Sequence, residues 1–261
     1  MTDEERFDEI LAELREFLID LGDLSFSVML IGGQVLALES RRQGGTGVIF
    51  VETDTGTVVE RGFSFEPDLL FDINGTEFMA ERLLEVLRER DFKREARDFR
   101  WSKTLPSGQT MDLDLFAPEG SEVSERLTRM TPLPDSRIAL RRSQRVSLKV
   151  SGKSLSILLP DAAGFLTMKE RAKREHRPEL SKDCFDMFVY VKLVGTQVVR
   201  ASLQAAGADG QALESRLRLL FWDKDSKGVQ DVLTYVSSHD ADERALLAQA
   251  VVDLFQDIFG R

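Results

Sequence analysis

The stretch Val28-Met-Leu-Ile-Gly-Gly-Gln-Val-Leu-Ala-Leu-Glu-Ser-Arg-Arg42 decides the fold. Val28 to Ile31 is a short apolar run of strand length, cut off by Gly32-Gly33, after which Gln34 to Arg42 reads as a helix. A strand-to-helix turn built from two glycines lets the backbone approach a neighbour closely, and the helix start offers unpaired N–H groups to a phosphate. A tight turn with no ligand would use the same residues, so the pair gains meaning only from what the chain sets beside it.

Upstream, Thr2-Asp-Glu-Glu5 has the spacing of a capping box. Phe7, Ile10, Leu11, Leu14, Phe17 and Leu18 then recur at helical spacing up to Gly22. Downstream, Val48 to Glu52 and Thr57 to Glu60 flank Asp54-Thr-Gly56 as a hairpin. A strand over Phe65 to Ile73 starts near Pro67, where a missing N–H is tolerated. Asn74-Gly75 turns into a helix over Glu77 to Glu89, with Phe78, Leu83, Leu84 and Leu87 inward. Phe99 to Lys103 and Thr110 to Phe116 pair around Pro106-Ser-Gly108. Pro118, Pro132 and Pro134 punctuate an irregular stretch, and Arg145 to Val150 with Leu155 to Leu159 form one more strand pair. Beyond Pro160 only helices are expected, over 161–174, 181–194, 201–220, 228–237 and 241–259. The fold class is therefore α+β: a mixed β-sheet with flanking helices over 1–159, then an all-helical C-terminal domain over 160–261.

The chain has 261 residues, 42% hydrophobic and 31% charged, which excludes collagen-like, low-complexity and wholly disordered classes. No apolar stretch approaches the roughly 20 residues of a membrane-spanning helix. Met1-Thr-Asp-Glu-Glu-Arg6 lacks the basic-then-apolar order of a secretory signal, so the mature chain is expected to begin there. A single cysteine, Cys184, excludes an internal disulfide, and beside only His176 and His239 it makes no zinc site. A cytoplasmic protein is expected. The net charge of -10 argues against general adhesion to nucleic acid. One local exception is the run from Arg137 to Pro160, with Arg137, Arg141, Arg142, Arg145, Lys149 and Lys153 and no acid. Such a run serves equally as a solvated strand edge.

Side chains alternate along a strand, so Glu66, Asp68 and Asp72 share one face, and Asp112 and Asp114 share another while Met111, Leu113 and Leu115 enter the core. Acids at i and i+2 repel and lose solvent, a cost that a hard divalent cation with oxygen ligands would offset. Two such cations can clamp the attacking and leaving oxygens of a phosphoryl-type displacement. The alternative is a wet sheet face.

In order, Ile31-Gly-Gly-Gln-Val-Leu-Ala-Leu38, Arg61-Gly-Phe-Ser-Phe-Glu-Pro-Asp-Leu-Leu-Phe-Asp72 and Met111-Asp-Leu-Asp-Leu-Phe116 resemble the nucleotidyltransferase superfamily. Within it the nearest likeness is to AbiEii-type proteins, the toxin halves of abortive-infection toxin–antitoxin pairs. The tail follows suit with Leu159-Pro-Asp-Ala-Ala-Gly-Phe-Leu-Thr-Met-Lys169 and Pro178-Glu-Leu-Ser-Lys-Asp183-Cys-Phe-Asp186, so the likeness spans about residues 26 to 194.

The resemblance implies a Mg²⁺-dependent transfer of a nucleoside monophosphate from a nucleoside triphosphate to an acceptor hydroxyl, with RNA or tRNA among the acceptors and an antitoxin as partner. Carried over, Glu66, Asp68 and Asp114, with Asp112 the alternative to Asp114, would be catalytic and hold two Mg²⁺ ions. Gly32, Gly33, Gln34, Arg61, Ser64, Lys169 and Asp183 would bind the nucleotide. Lys169 would face the triphosphate, and Asp114 would help deprotonate the acceptor. The basic run and the Lys169 to Arg177 cluster could hold an RNA backbone. Three departures stand out: Glu66 replaces the usual Asp, Gly33-Gln34 lacks the usual hydroxyl, and Arg61 lies one residue further from Ser64 than the pattern has. Two other readings stay open: a nucleotidyltransferase fold that only binds a nucleotide or protein, and a small-molecule transferase like those that nucleotidylate aminoglycosides.

Overall fold

The computed structural model describes residues 1–53, 56, 58–73, 77–97, 99–121, 130–237 and 240–260. Asp54, Thr55, Thr57, Asn74, Gly75, His239 and the side chain of Phe78, which bear on the expectations above, lie outside the described residues.

Helix α1 (Asp3–Leu21) starts on the complete Thr2/Glu5 capping box and ends at Gly22, whose φ of 58° only glycine adopts freely. A 3₁₀ turn leads into β1 (Val28–Ile31), and α2 (Gln34–Arg42) follows the double glycine. β2 (Ile49–Glu52) and β3 (Val58–Arg61) pair as a separate two-stranded sheet, with Val51 opposite Val59. The main sheet holds β4 (Asp68–Phe71), β5 (Lys93–Arg94), β6 (Arg100–Thr104), β7 (Thr110–Pro118), β8 (Thr131–Leu133), β9 (Ser143–Val150) and β10 (Lys153–Pro160) together with β1. Its order is β5-β6-β7-β4-β1-β10-β9, with β8 also on β7. The sheet is mixed: β1 runs parallel to β10 and antiparallel to β4, and β4 runs parallel to β7.

β1 is buried at all four positions because helices and chain cover both faces. Val28 and Leu30 join the main core, while Met29 and Ile31 join a smaller cluster with Leu70 and Ala139, as side-chain alternation requires. The main core runs without a break from α1 and α3 (Glu77–Glu89) through the sheet into the C-terminal helices. Those are α5 (Ala162–Arg171), α6 (Lys182–Val194), α7 (Thr196–Ala205), α8 (Ala208–Phe221), α9 (Lys227–Val236) and α10 (Ala241–Ile258), after the short α4 (Ser136–Arg141). Between α5 and α6, Ala172–His176 forms a π turn, closed by the Arg177 N–H donating to the Ala172 carbonyl at 2.9 Å.

Several expected elements change. The single helix over 201–220 is two helices, α7 and α8, because Gly207 takes φ 59° and breaks the ladder. The strand expected from Phe65 starts only at Asp68: Pro67 accepts from the Asp114 N–H at 3.0 Å but has none to return. The irregular proline-rich stretch contains β8 and α4, so Arg137 and Arg141 sit on a helix rather than a strand edge. Ser151-Gly152, both at positive φ, close the β9–β10 hairpin as the twist of its strands demands.

Candidate active site

Four cross-strand neighbours form a row across the sheet. Ile31 on β1 faces Asp68 on β4, Asp68 faces Asp114 on β7, and Asp114 faces Arg100 on β6. Parallel register thus sets two carboxylates side by side. Arg100 grips Asp114 with both arms of its fork, Nε to Oδ1 at 2.7 Å and Nη2 to Oδ2 at 2.8 Å. It also donates to Glu66 at 2.9 Å and to Asp112 at 3.3 Å. Those hydrogen bonds, first of all to Asp114, raise the guanidinium above the ordinary arginine range. Asp68 takes no part in this arrangement. Burial, then the charge of Asp114, pushes its carboxyl up to about 7 against the pull of Lys169. Asp112 is raised as well, by burial ahead of the opposing pull of Arg100.

The glycine turn is shaped by Asp68. Gly32 takes φ 72°, and a Cβ there would lie 1.9 Å from Asp68 Oδ2. At Gly33 a Cβ would meet Ser64 Oγ at 2.9 Å and Arg61 Nη2 at 3.0 Å. Gly32 is held to glycine by its φ and by Asp68, whereas a side chain at Gly33 would require Ser64 and Arg61 to shift.

The helical half supplies the positive flank. Lys169 on α5 is 6% exposed and donates to Asp183 at 3.2 Å and Asp186 at 2.6 Å, both on the first turns of α6. Burial opposes its charge, but Asp186 and Asp183 outweigh that and hold its ammonium above the usual lysine range. Asp186 is in turn held below the usual carboxylate range: burial works against its charge, and Lys169 with Arg61 overcomes it. Arg61 reaches Asp186 from β3 at 2.8 Å, and Arg177 reaches Asp183 at 2.8 Å. A network this buried costs desolvation, and removal of one member leaves an uncompensated charge.

These groups converge on one cavity of about 460 Å³, lined by Gly32, Gly33, Ser64, Glu66, Asp68, Asp114, Lys169 and Asp183 among the expected residues. Two expected residues are not on its wall. Gln34 is wholly buried on α2, and Arg61, 4% exposed, turns inward to Asp186, which it shares with Lys169. Asp112 faces the neighbouring groove instead, which leaves Asp114 as the third carboxylate of the cavity. His176 stands at the wall as an exposed side chain.

Arg100 and Lys182, which the sequence does not mark as site residues, line the cavity, as does Arg177, expected only as part of a cluster that could hold RNA. Lys182 has no ion-pair or hydrogen-bond partner among the described residues. Loss of solvent around its ammonium, aided by Arg61, Lys169 and Arg177, outweighs Asp186 and lowers its pKa. The signal available beforehand was the N-terminus of the helix after Ser181, where a lysine opposes the helix dipole and so needs another reason to be there.

The basic run is largely spoken for. Arg142 pairs with Asp161 at 2.7 Å, Arg141 with Asp209 at 3.5 Å and Lys153 with Glu16 at 3.9 Å, while Arg145 donates to the Phe26 carbonyl and lies over its ring.

The carboxylates of Glu66, Asp68 and Asp114 are hard oxygen donors, and their chemistry fits a hard divalent cation. The arrangement is not preassembled, since among the described residues no three of His, Cys, Asp or Glu stand ready to hold a metal ion. No protein-family model and no curated protein matches the chain.

Proposed function

We propose that this cavity transfers a nucleoside monophosphate from a nucleoside triphosphate to an acceptor hydroxyl, in a nucleotidyltransferase-like fold of AbiEii type. One observation carries the reading: Glu66, Asp68 and Asp114 meet Gly32-Gly33 and Lys169 around one cavity, so an acidic floor faces a basic flank. A divalent cation held by Glu66, Asp68 and Asp114 would neutralise charge on the triphosphate. Lys182 and Arg177 bind the β and γ phosphates from the helical side, and the N–H groups after Gly33 take a further oxygen. Lys169, fixed by Asp183 and Asp186, sets the field in which pyrophosphate leaves. The acceptor oxygen attacks the α-phosphorus, its bond to the bridging oxygen breaks, and pyrophosphate departs with the bonding pair. The hydroxyl proton passes to a carboxylate, and Asp68 suits the role better than Asp114, because Asp114 is gripped by both arms of Arg100 while Asp68 is not.

The test is incubation with Mg²⁺, total RNA and each labelled nucleoside triphosphate. Pyrophosphate release with label in RNA is expected, lost in Asp68→Asn. Label in a small molecule instead would indicate a transferase of the aminoglycoside-modifying kind, and with RNA as the acceptor a toxin role beside an antitoxin follows as the next question. One observation favours a second reading, a binding module without catalysis: Arg100 already occupies the position between Glu66, Asp112 and Asp114. In that case nucleotide binds, no pyrophosphate appears, and Asp68→Asn changes nothing.

A further inference from the structure

The cavity has an apolar side that the chemistry above leaves unused. Phe99 and Phe116 line it, both half-buried, with ring centroids 6.1 Å apart and planes tilted by 39°. Ile31, Leu133 and Met168 line it too. Phe116, Leu133 and Met168 pack onto the small cluster of Met29, Ile31, Leu70 and Ala139, so buried residues behind the wall hold it in place. Phe116 follows Asp114 by two positions on β7, hence on the same sheet face and about 7 Å along the strand. A ligand whose charged end meets Asp68 and Asp114 would therefore extend a flat apolar part over Phe116.

We propose that Phe116, with Phe99, Leu133 and Met168, is the subsite for the heteroaromatic base of the nucleotide, the ring lying against Phe116. The proposal rests on the nucleotide reading of the same cavity. It also sets the selectivity. Every nucleobase has a π-face, and these wall side chains carry no strong hydrogen-bonding group to read a base edge, so the wall accepts a base and discriminates little between bases.

The experiment compares ATP, CTP and inorganic tripolyphosphate by calorimetry on the full chain in Mg²⁺. ATP and CTP should bind at least tenfold more tightly than tripolyphosphate and within tenfold of each other. Phe116→Ala should weaken ATP about tenfold and leave tripolyphosphate unchanged. Phe116→Leu, which keeps apolar bulk but no flat ring, guards against a folding defect and should show the same selective loss. Equal affinity for ATP and tripolyphosphate, or an equal loss of both in the variants, would overturn the subsite while sparing the phosphate site. Binding of neither would overturn the nucleotide reading and this subsite with it.

Discussion

The carboxylate of Asp68 occupies the space that a side chain on Gly32 would need, with Oδ2 1.9 Å from where the Cβ would stand. Because Gly32 also sits at φ 72°, Gly32→Ala should cost about 1–3 kcal/mol in backbone strain and force Asp68 aside. Gly22→Ala is the control: φ is 58° there, but nothing lies within 4 Å, so only the backbone strain of about 1–3 kcal/mol applies. Urea unfolding of both variants measures the difference, and equal losses would mean that Asp68 yields freely.

The raised carboxyl of Asp68 gives stability a pH dependence in metal-free buffer. From about pH 4 to 7 the unfolded chain has released this proton while the folded chain keeps it, so stability falls as pH rises. The loss amounts to no more than about 4 kcal/mol and levels off above pH 7. Asp68→Asn should remove this decline and be more stable than the parent at pH 8. An unchanged profile in thermal melts from pH 5 to 8 would rule out the shift.

Arg100 bridges Glu66, Asp112 and Asp114, the charge that a divalent cation would supply in the proposed function. Arg100→Gln should therefore bind Mn²⁺ at least tenfold more tightly than the parent, read by electron paramagnetic resonance without nucleotide. The same affinity in both chains would place any bound Mn²⁺ away from these carboxylates.

Lys182 lines the cavity without a protein partner among the described residues, so its ammonium can be removed without stranding a buried acid. Lys182→Met should leave the melting temperature within a degree or two and weaken tripolyphosphate binding about tenfold. Lys169→Met is its opposite. It strands Asp183 and Asp186, and it should cost about 3–5 kcal/mol before any question of binding arises.

The strand-glycine-helix unit and the common face of Asp112 and Asp114 were legible because each is a local pattern, whereas Glu66 and Asp72 lie outside the strand that was expected to carry them with Asp68. An apolar run bounded by glycine needs no partner to be read, and Asp112/Asp114 alternate with residues that are wholly buried. Arg100 was not legible. Its strand and the hairpin around Pro106-Ser-Gly108 were visible, but the register that sets Arg100 opposite Asp114 depends on the number of residues held in the loop, which the turn signal does not fix. The partner of Arg61 was not legible either: Asp186 lies 125 positions away on a helix, and no local pattern links the two. Gly207 was passed over because the apolar spacing of α7 and α8 runs on through it.

The π turn over Ala172–His176 holds one residue more than an α-helical turn would. Losing a single codon there would restore ordinary helical winding and swing everything beyond it by about 100°. Arg177 would leave Asp183, and Lys173, which now bonds the carbonyls of Pro178 and Leu180 and pairs with Asp231, would lose its anchorage. At this spot the chain should tolerate exchanges of residue type far better than changes in length.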